Sequence, residues 1–192
     1  MKRIVIFASG SGSNAEQIAL HFKNHKEVSI AWIATNNPQA GVIGRAERLG
    51  IPCRIFNRSE FASESGVLAS IQAEKIDLIV LAGFLWLIPA FLVEAYRGRI
   101  INIHPSLLPD FGGKGFYGDK VHQAVIDDHR IMSGITIHQV NEHFDKGAII
   151  FQAACHVAPD DTSAMLAQKI HQLEHQYFPV VIEKYLSSLA IH

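Results

Sequence analysis

The sequence predicts a single α/β domain with a mostly parallel central sheet, helices on both faces and an antiparallel strand pair toward the C-terminus. Short, fully apolar runs such as Ile4–Phe7 and Leu78–Ala82 lack the two-residue alternation of half-exposed strands, so they read as strands covered on both faces. Stretches of helical length separate them, which requires crossovers and hence parallel pairing. The last two long apolar stretches are joined by only seven residues, Asn141–Gly147, too few for a crossover.

The elements follow in order. Arg3–Ala8 is a buried strand, and Ser9-Gly10-Ser11-Gly12-Ser13-Asn14 leads into a helix over about Ala15–His25. Val28–Thr35 is a strand, Val42–Leu49 a helix closed by Gly50, and Pro52–Phe56 a short strand. A helix over Glu60–Glu74 precedes strand Leu78–Ala82, and Pro89 opens a helix over Ala90–Tyr96. Strand Arg99–Ile103 is followed by the loop Pro109–Lys120, with Gly112, Gly113, Gly115 and Gly118. A helix over Lys120–Asp127, strands Ile131–Val140 and Ala148–Val157, and an amphipathic helix over Ser163–Leu186 complete the chain.

Composition bounds the function. The 192 residues are 48% hydrophobic and 18% charged, with net charge −1, a globular balance without the basic field that nucleic acid or an anionic membrane selects. Leu78–Val93, the longest uncharged run, is too short for a bilayer span and contains Gly83 and Pro89. Cys53 and Cys155 show no metal or redox spacing and read as free thiols of a cytoplasmic protein. The length fits one domain spanning 1–192.

Three clusters carry chemistry. The Ser9–Asn14 loop, between a strand and a helix start, turns backbone N–H groups and a positive helix end outward, which suits one phosphate. It is neither a full GxGxxG nor a Walker loop, so it argues for a single phosphate or a small nucleotide rather than a dinucleotide or ATP; a plain tight βα turn would need fewer glycines and serines. In Ile100–Pro109, Asn102 and His104 leave one strand face side by side, and Pro105 stiffens the exit. An amide donor beside an imidazole suits oxyanion stabilisation and proton movement; a satisfied buried pair has the same letters. Right-handed crossovers bring the first loop, Phe84–Ile88 and His104 to one carboxyl edge, which favours a site. Asp145 either caps its own turn or faces His104. Lys114 and Tyr117 are the ligand-reaching side chains of the glycine loop, as a flap or as a solvated segment. His138 shares a strand face with Thr136 and Val140, as core or support.

His171-Gln172-Leu173-Glu174-His175 matches the inverted zinc-peptidase pattern H-x-x-E-H, but eleven histidines make the pair common and zinc needs a third ligand. His21 and His25, also four apart, have no acidic partner in register and read as solvated.

Four segments together resemble the phosphoribosylglycinamide formyltransferase family. They are Ser9–Asn14, Leu81-Ala82-Gly83-Phe84, the block Asn102-Ile103-His104-Pro105-Ser106-Leu107-Leu108-Pro109, and Gly134–Asp145 leading into Gln152. The resemblance implies a Rossmann-like formyltransferase fold, with 1–100 as the nucleotide- and phosphate-binding half and 101–192 as the catalytic and folate-binding half. It implies formyl transfer from 10-formyltetrahydrofolate, as co-substrate, to the amine of glycinamide ribonucleotide, with no metal or redox step. Small-molecule substrates and a monomer or homodimer are part of what it implies. Asn102, His104 and Asp145 would be the catalytic trio: Asn102 and a protonated His104 on the developing oxyanion, Asp145 behind the imidazolium. Gly12, Ser13 and Asn14 would hold the phosphate and nearby groups, and Glu174 with Gln172 the glycinamide end. Leu85, Trp86, Leu87, Ile88, with Asn102 and the loop Asn141, Glu142, His143, Phe144 and Asp145, would enclose the pteridine.

The chain departs from the family at Trp86 and Glu64, where arginines are expected, and in the longer loop 109–122, where Lys114 is a candidate phosphate contact. A formyltetrahydrofolate hydrolase, a formyltransferase for another amine, or a non-catalytic nucleotide-binding module are the alternatives. A hydrolase normally carries an N-terminal regulatory domain, and a transfer-RNA formyltransferase a C-terminal domain and a basic face. A non-catalytic module would leave the trio without a task.

Overall fold

A computed structural model describes residues 1–189. Seven strands form one sheet in the order β3-β2-β1-β4-β5-β6-β7. The first five, β1 (Lys2–Phe7), β2 (Val28–Thr35), β3 (Cys53–Ile55), β4 (Leu78–Leu81) and β5 (Ile100–His104), are parallel. β6 (Met132–Gln139) and β7 (Ile149–His156) run antiparallel beside β5, as the short connection requires.

Strand alternation divides the core between two faces. Ile4, Ile6, Leu78, Val80, Ile101 and Ile103 face α1 (Ser13–Phe22), α2 (Val42–Leu49), α6 (Asp119–Asp127) and α7 (Ser163–Ser188). Val5, Phe7, Ile79, Leu81 and Ile100 face the other layer, where Phe61, Val67, Ile71 and Leu92 pack. That layer contains α3 (Arg58–Phe61), α4 (Ala69–Ala73) and α5 (Ala90–Ala95). Strands covered on both sides need the near-continuous apolar runs that the sequence shows.

Two expectations change. The single helix over 60–74 is broken: α3, capped reciprocally by Asn57 and Glu60, ends at Phe61, and a π turn over Glu64–Leu68 precedes α4. A Cβ at Gly66 would lie 2.1 Å from the Glu60 carbonyl oxygen, so this close return needs glycine. His21 and His25 are not merely solvated, since Glu183 of α7 lies 2.7 and 3.4 Å from their Nε2 atoms. That carboxylate stands on α7, 162 positions beyond His21 and 158 beyond His25 in the chain.

The strand order reverses between β1 and β4, the point where open α/β sheets bind ligands. Among the described residues no helix is long and apolar enough to cross a membrane.

Candidate active site

A cavity of about 640 Å³ opens at that reversal, above the ends of β1, β4 and β5. Its first wall is the Ser9–Asn14 loop. Gly12 precedes α1 in a left-handed conformation, φ 78°, and a Cβ there would lie 2.4 Å from Val42 Cγ2. No side chain caps α1, so the N–H groups of Ser13, Asn14 and Ala15 have no helical or capping partner. Ser9 ties this loop to the β4 exit, donating its N–H to the Gly83 carbonyl and accepting the Leu85 N–H on its hydroxyl.

The floor is built by β5 and β6. Antiparallel register sets Asn102 opposite His138 and His104 opposite Thr136. Asn102 Nδ2 lies 3.0 Å from His138 Nε2, whose Nδ1 is 2.8 Å from the Gln139 carbonyl. A carbonyl only accepts, so Nδ1 carries a hydrogen; in the neutral ring Nε2 accepts from the Asn102 amide, and in the protonated ring it turns a hydrogen toward Asp145 Oδ1, 3.5 Å away. The second Asn102 N–H has only a longer contact, 3.4 Å to Asp145 Oδ1. Thr136 holds the strand exit: its hydroxyl donates to the Ser106 carbonyl and accepts the Leu108 N–H and the Gln152 amide. The stiffness after His104 thus comes from a buried hydroxyl network as well as from Pro105.

Asp145 closes the constellation. Its backbone is left-handed, φ 55°, and its Oδ2 lies 3.5 Å from His104 Nδ1 while accepting the Gly113 N–H at 2.9 Å. Of the two readings open in the sequence, the carboxylate faces His104. Burial by itself would raise the Asp145 pKa, but His138, His104 and the Gly113 N–H outweigh it and hold the carboxyl below its ordinary value. His104 is 4% exposed. Burial dominates there and holds the imidazole below its ordinary value, against the pull of Asp145 and the Phe111 carbonyl. Nε2 donates to that carbonyl at 2.8 Å, so a proton gained at Nδ1 meets Asp145 directly.

Glu174 projects from α7 into the cavity beside the Ser9–Asn14 loop, 6% exposed, accepting from Asn14 Nδ2 at 2.9 Å. Burial raises its pKa, opposed by that hydrogen bond and by His171. Gln172 is exposed and does not line the cavity, because two residues of helix turn it about 200° away from Glu174. A smaller hollow adjoins the trio, walled by Trp86, Leu87, Ile88, Val140, Phe144 and, on its polar side, Asn141 and His143. Leu85 lines the main cavity instead. Glu142 lines neither; it points outward, 3.8 Å from Arg97. Trp86 packs on Phe61 and carries the Arg58 guanidinium 4.8 Å from its ring centre. The halves 1–100 and 101–192 interleave: Asn14 meets Glu174, and Leu87–Ile88 faces the Asn141–Asp145 loop.

Sequence reasoning missed the Phe111 carbonyl and the Gly113 N–H, which belong to a loop and are backbone groups with no residue signature. It missed His122, buried in the cavity with its Nδ1 unpartnered. His138 was legible only as support; pairing Asn-x-His with Thr-x-His in antiparallel register would have found its partner.

Residues 2–182 match the formyl transferase family. The chain is 40% identical to phosphoribosylglycinamide formyltransferase of Bacillus subtilis, covering 97% of this chain and 95% of that protein. It superposes on the crystal structure of phosphoribosylglycinamide formyltransferase from Bacillus halodurans with TM-score 0.87 at 37% identity, covering 97% and 96% of the two chains. For glycinamide ribonucleotide transformylase 1 from Symbiobacterium toebii the TM-score is 0.89 at 30% identity, covering 100% and 91%.

Proposed function

The chain belongs to the formyl transferase family, and on that premise we propose that it transfers a formyl group from 10-formyltetrahydrofolate to the amine of glycinamide ribonucleotide, in purine biosynthesis. The observation that carries this reading is the meeting of Asn102, His104 and Asp145 within 3.5 Å on the floor of a cavity whose wall is an uncapped helix start.

The free amides of Ser13 and Asn14 suit a phosphate, and the buried carboxylate of Glu174 suits the glycinamide end, which carries N–H donors. The hollow beside Asn102 suits a flat ring with polar edges, its apolar walls being Trp86, Ile88 and Phe144 and its polar groups His138 and Asn141.

In the transfer the amine nitrogen bonds to the formyl carbon, the bond from that carbon to the folate nitrogen breaks, and one proton passes from amine to folate nitrogen. Asn102 meets the developing oxyanion with the N–H that holds only a 3.4 Å contact at rest. His104, held toward its neutral form by burial, takes up the proton the amine releases, and Asp145 balances the imidazolium until the proton leaves with the folate. The protonated ring implied by the family resemblance is thus formed during the reaction.

The test is an absorbance assay of folate deformylation, with formylated ribonucleotide followed by mass spectrometry. Both products are expected, and only when both substrates are present. Folate release without the ribonucleotide would make the protein a hydrolase, and no turnover with either would overturn the reading.

A further inference from the structure

The loop that follows β5 lines the cavity with Lys114, Phe116 and Tyr117, and of these only Lys114 is charged. Gly113-Lys114-Gly115-Phe116 is a tight turn, closed by the Phe116 N–H on the Gly113 carbonyl at 3.1 Å. Gly115 occupies its third position with φ 98°, the conformation a type II turn requires there. The turn is fastened at its base, since the Gly113 N–H donates to the Asp145 carboxylate and the Phe116 ring stands edge-on to Phe111, centroids 6.3 Å apart. Lys114, at the second position, is therefore presented by a clip fixed to the trio.

Among the described residues Lys114 is the one lysine or arginine lining the cavity, and it has neither an ion pair nor a hydrogen bond there. Lys120, nearby in sequence, is occupied by Tyr117: its ammonium lies 3.1 Å from the phenol oxygen. The cavity also contains the carboxylates of Asp145 and Glu174. A phosphate dianion entering it is repelled by both, and a helix start offers only about half a positive charge in return. A cation on the loop that lines the same cavity supplies the difference. The unpartnered Nδ1 of His122, 3% exposed in the same cavity, marks that wall as built for a polar ligand.

Building on the reading above, we propose that Lys114 is a specificity-determining residue whose charge makes the enzyme prefer a phosphorylated acceptor. The experiment compares kcat/KM for glycinamide ribonucleotide with that for the dephosphorylated glycinamide riboside, in wild type, Lys114→Met and Lys114→Arg. A hydrogen bond to a charged group is worth ~1.5–3 kcal/mol, so Lys114→Met should cut the preference for the phosphorylated acceptor on the order of tenfold or more. Lys114→Arg should retain most of it, and the wild-type preference should shrink as salt rises. Riboside turnover reports that Lys114→Met is folded and competent. An unchanged preference in Lys114→Met, or an equal loss on both acceptors, would overturn the assignment while leaving the formyl-transfer reading intact. Wild-type protein that formylates neither acceptor would remove both.

Discussion

Asn102 and His138 face each other across the β5–β6 ladder, and the histidine's lone pair holds the asparagine's amide at 3.0 Å. The orientation of the proposed oxyanion donor is thus set by the neighbouring strand. Asn102→Ala should lower kcat by ~10²–10³, the usual cost of one such donor. His138→Phe keeps the bulk but removes the acceptor, and should lower kcat about tenfold with KM for both substrates nearly unchanged. Steady-state kinetics on the two variants separates donor from orienter.

The pH profile of kcat/KM follows from His104. Burial depresses its pKa, so the neutral, proton-accepting ring persists below the ordinary imidazole range. Activity should be flat near neutrality and fall as pH drops through that depressed value. Asp145→Asn withdraws a charge that opposes the depression, so the acid limb should move to still lower pH as kcat falls ~10²–10⁴. A limb moving upward would contradict the assignment.

Thr136→Val leaves the Leu108 N–H and the Gln152 amide without their hydroxyl and the Ser106 carbonyl without a donor. Buried groups losing partners cost ~1–3 kcal/mol each, so a melting temperature several degrees lower is expected. Calorimetry measures the loss, and a kcat reduced in the surviving fold would show that the same hydroxyl positions His104.

Gly12→Ala meets a left-handed backbone and a Val42 side chain 2.4 Å from the new Cβ. The loop must shift. KM for the ribonucleotide should rise on the order of tenfold or more while KM for the folate changes little, as the amides of α1 lose their aim.

Glu174 links activity to stability with opposite signs. Its raised pKa means the folded state disfavours the ionised carboxyl, so its contribution is best at low pH and is lost as pH rises through the raised value. Glu174→Gln should therefore raise the melting temperature at pH 8, by ~2–4 °C per kcal/mol of burial cost removed, with the gain vanishing in acid. Ribonucleotide affinity should fall in the same variant.

Most of the fold was legible because burial writes itself into composition: Ile4–Phe7 and Leu78–Leu81 are apolar at every position, and both are covered on two faces. The Glu60–Glu74 region was not, because its break depends on where Gly66 meets the Glu60 carbonyl, a contact between backbones. In the site, side chains declared themselves, as with Asn102 and His104 two apart on one strand. Helical phase already separates Gln172 from Glu174, and applying it would have removed Gln172 from the candidate residues. Glu142 differs from its neighbours His143 and Phe144, which line the hollow, only by the path of a loop, which sequence does not encode locally. The Glu183 partner of His21 and His25 lies too far along the chain for any local rule to reach.

Because β6 runs against its neighbours, the segment that follows it leaves the sheet at the edge away from the cavity. It must climb back along the sheet face before Asp145 can stand beside His104. The sheet's hydrogen-bond ladder therefore does not fix the height of that carboxylate; the number of residues between Gln139 and Ile149 does. This connection behaves as a measuring rod. Removing one residue from it would spare the strands and their core yet leave the imidazole without its counterion.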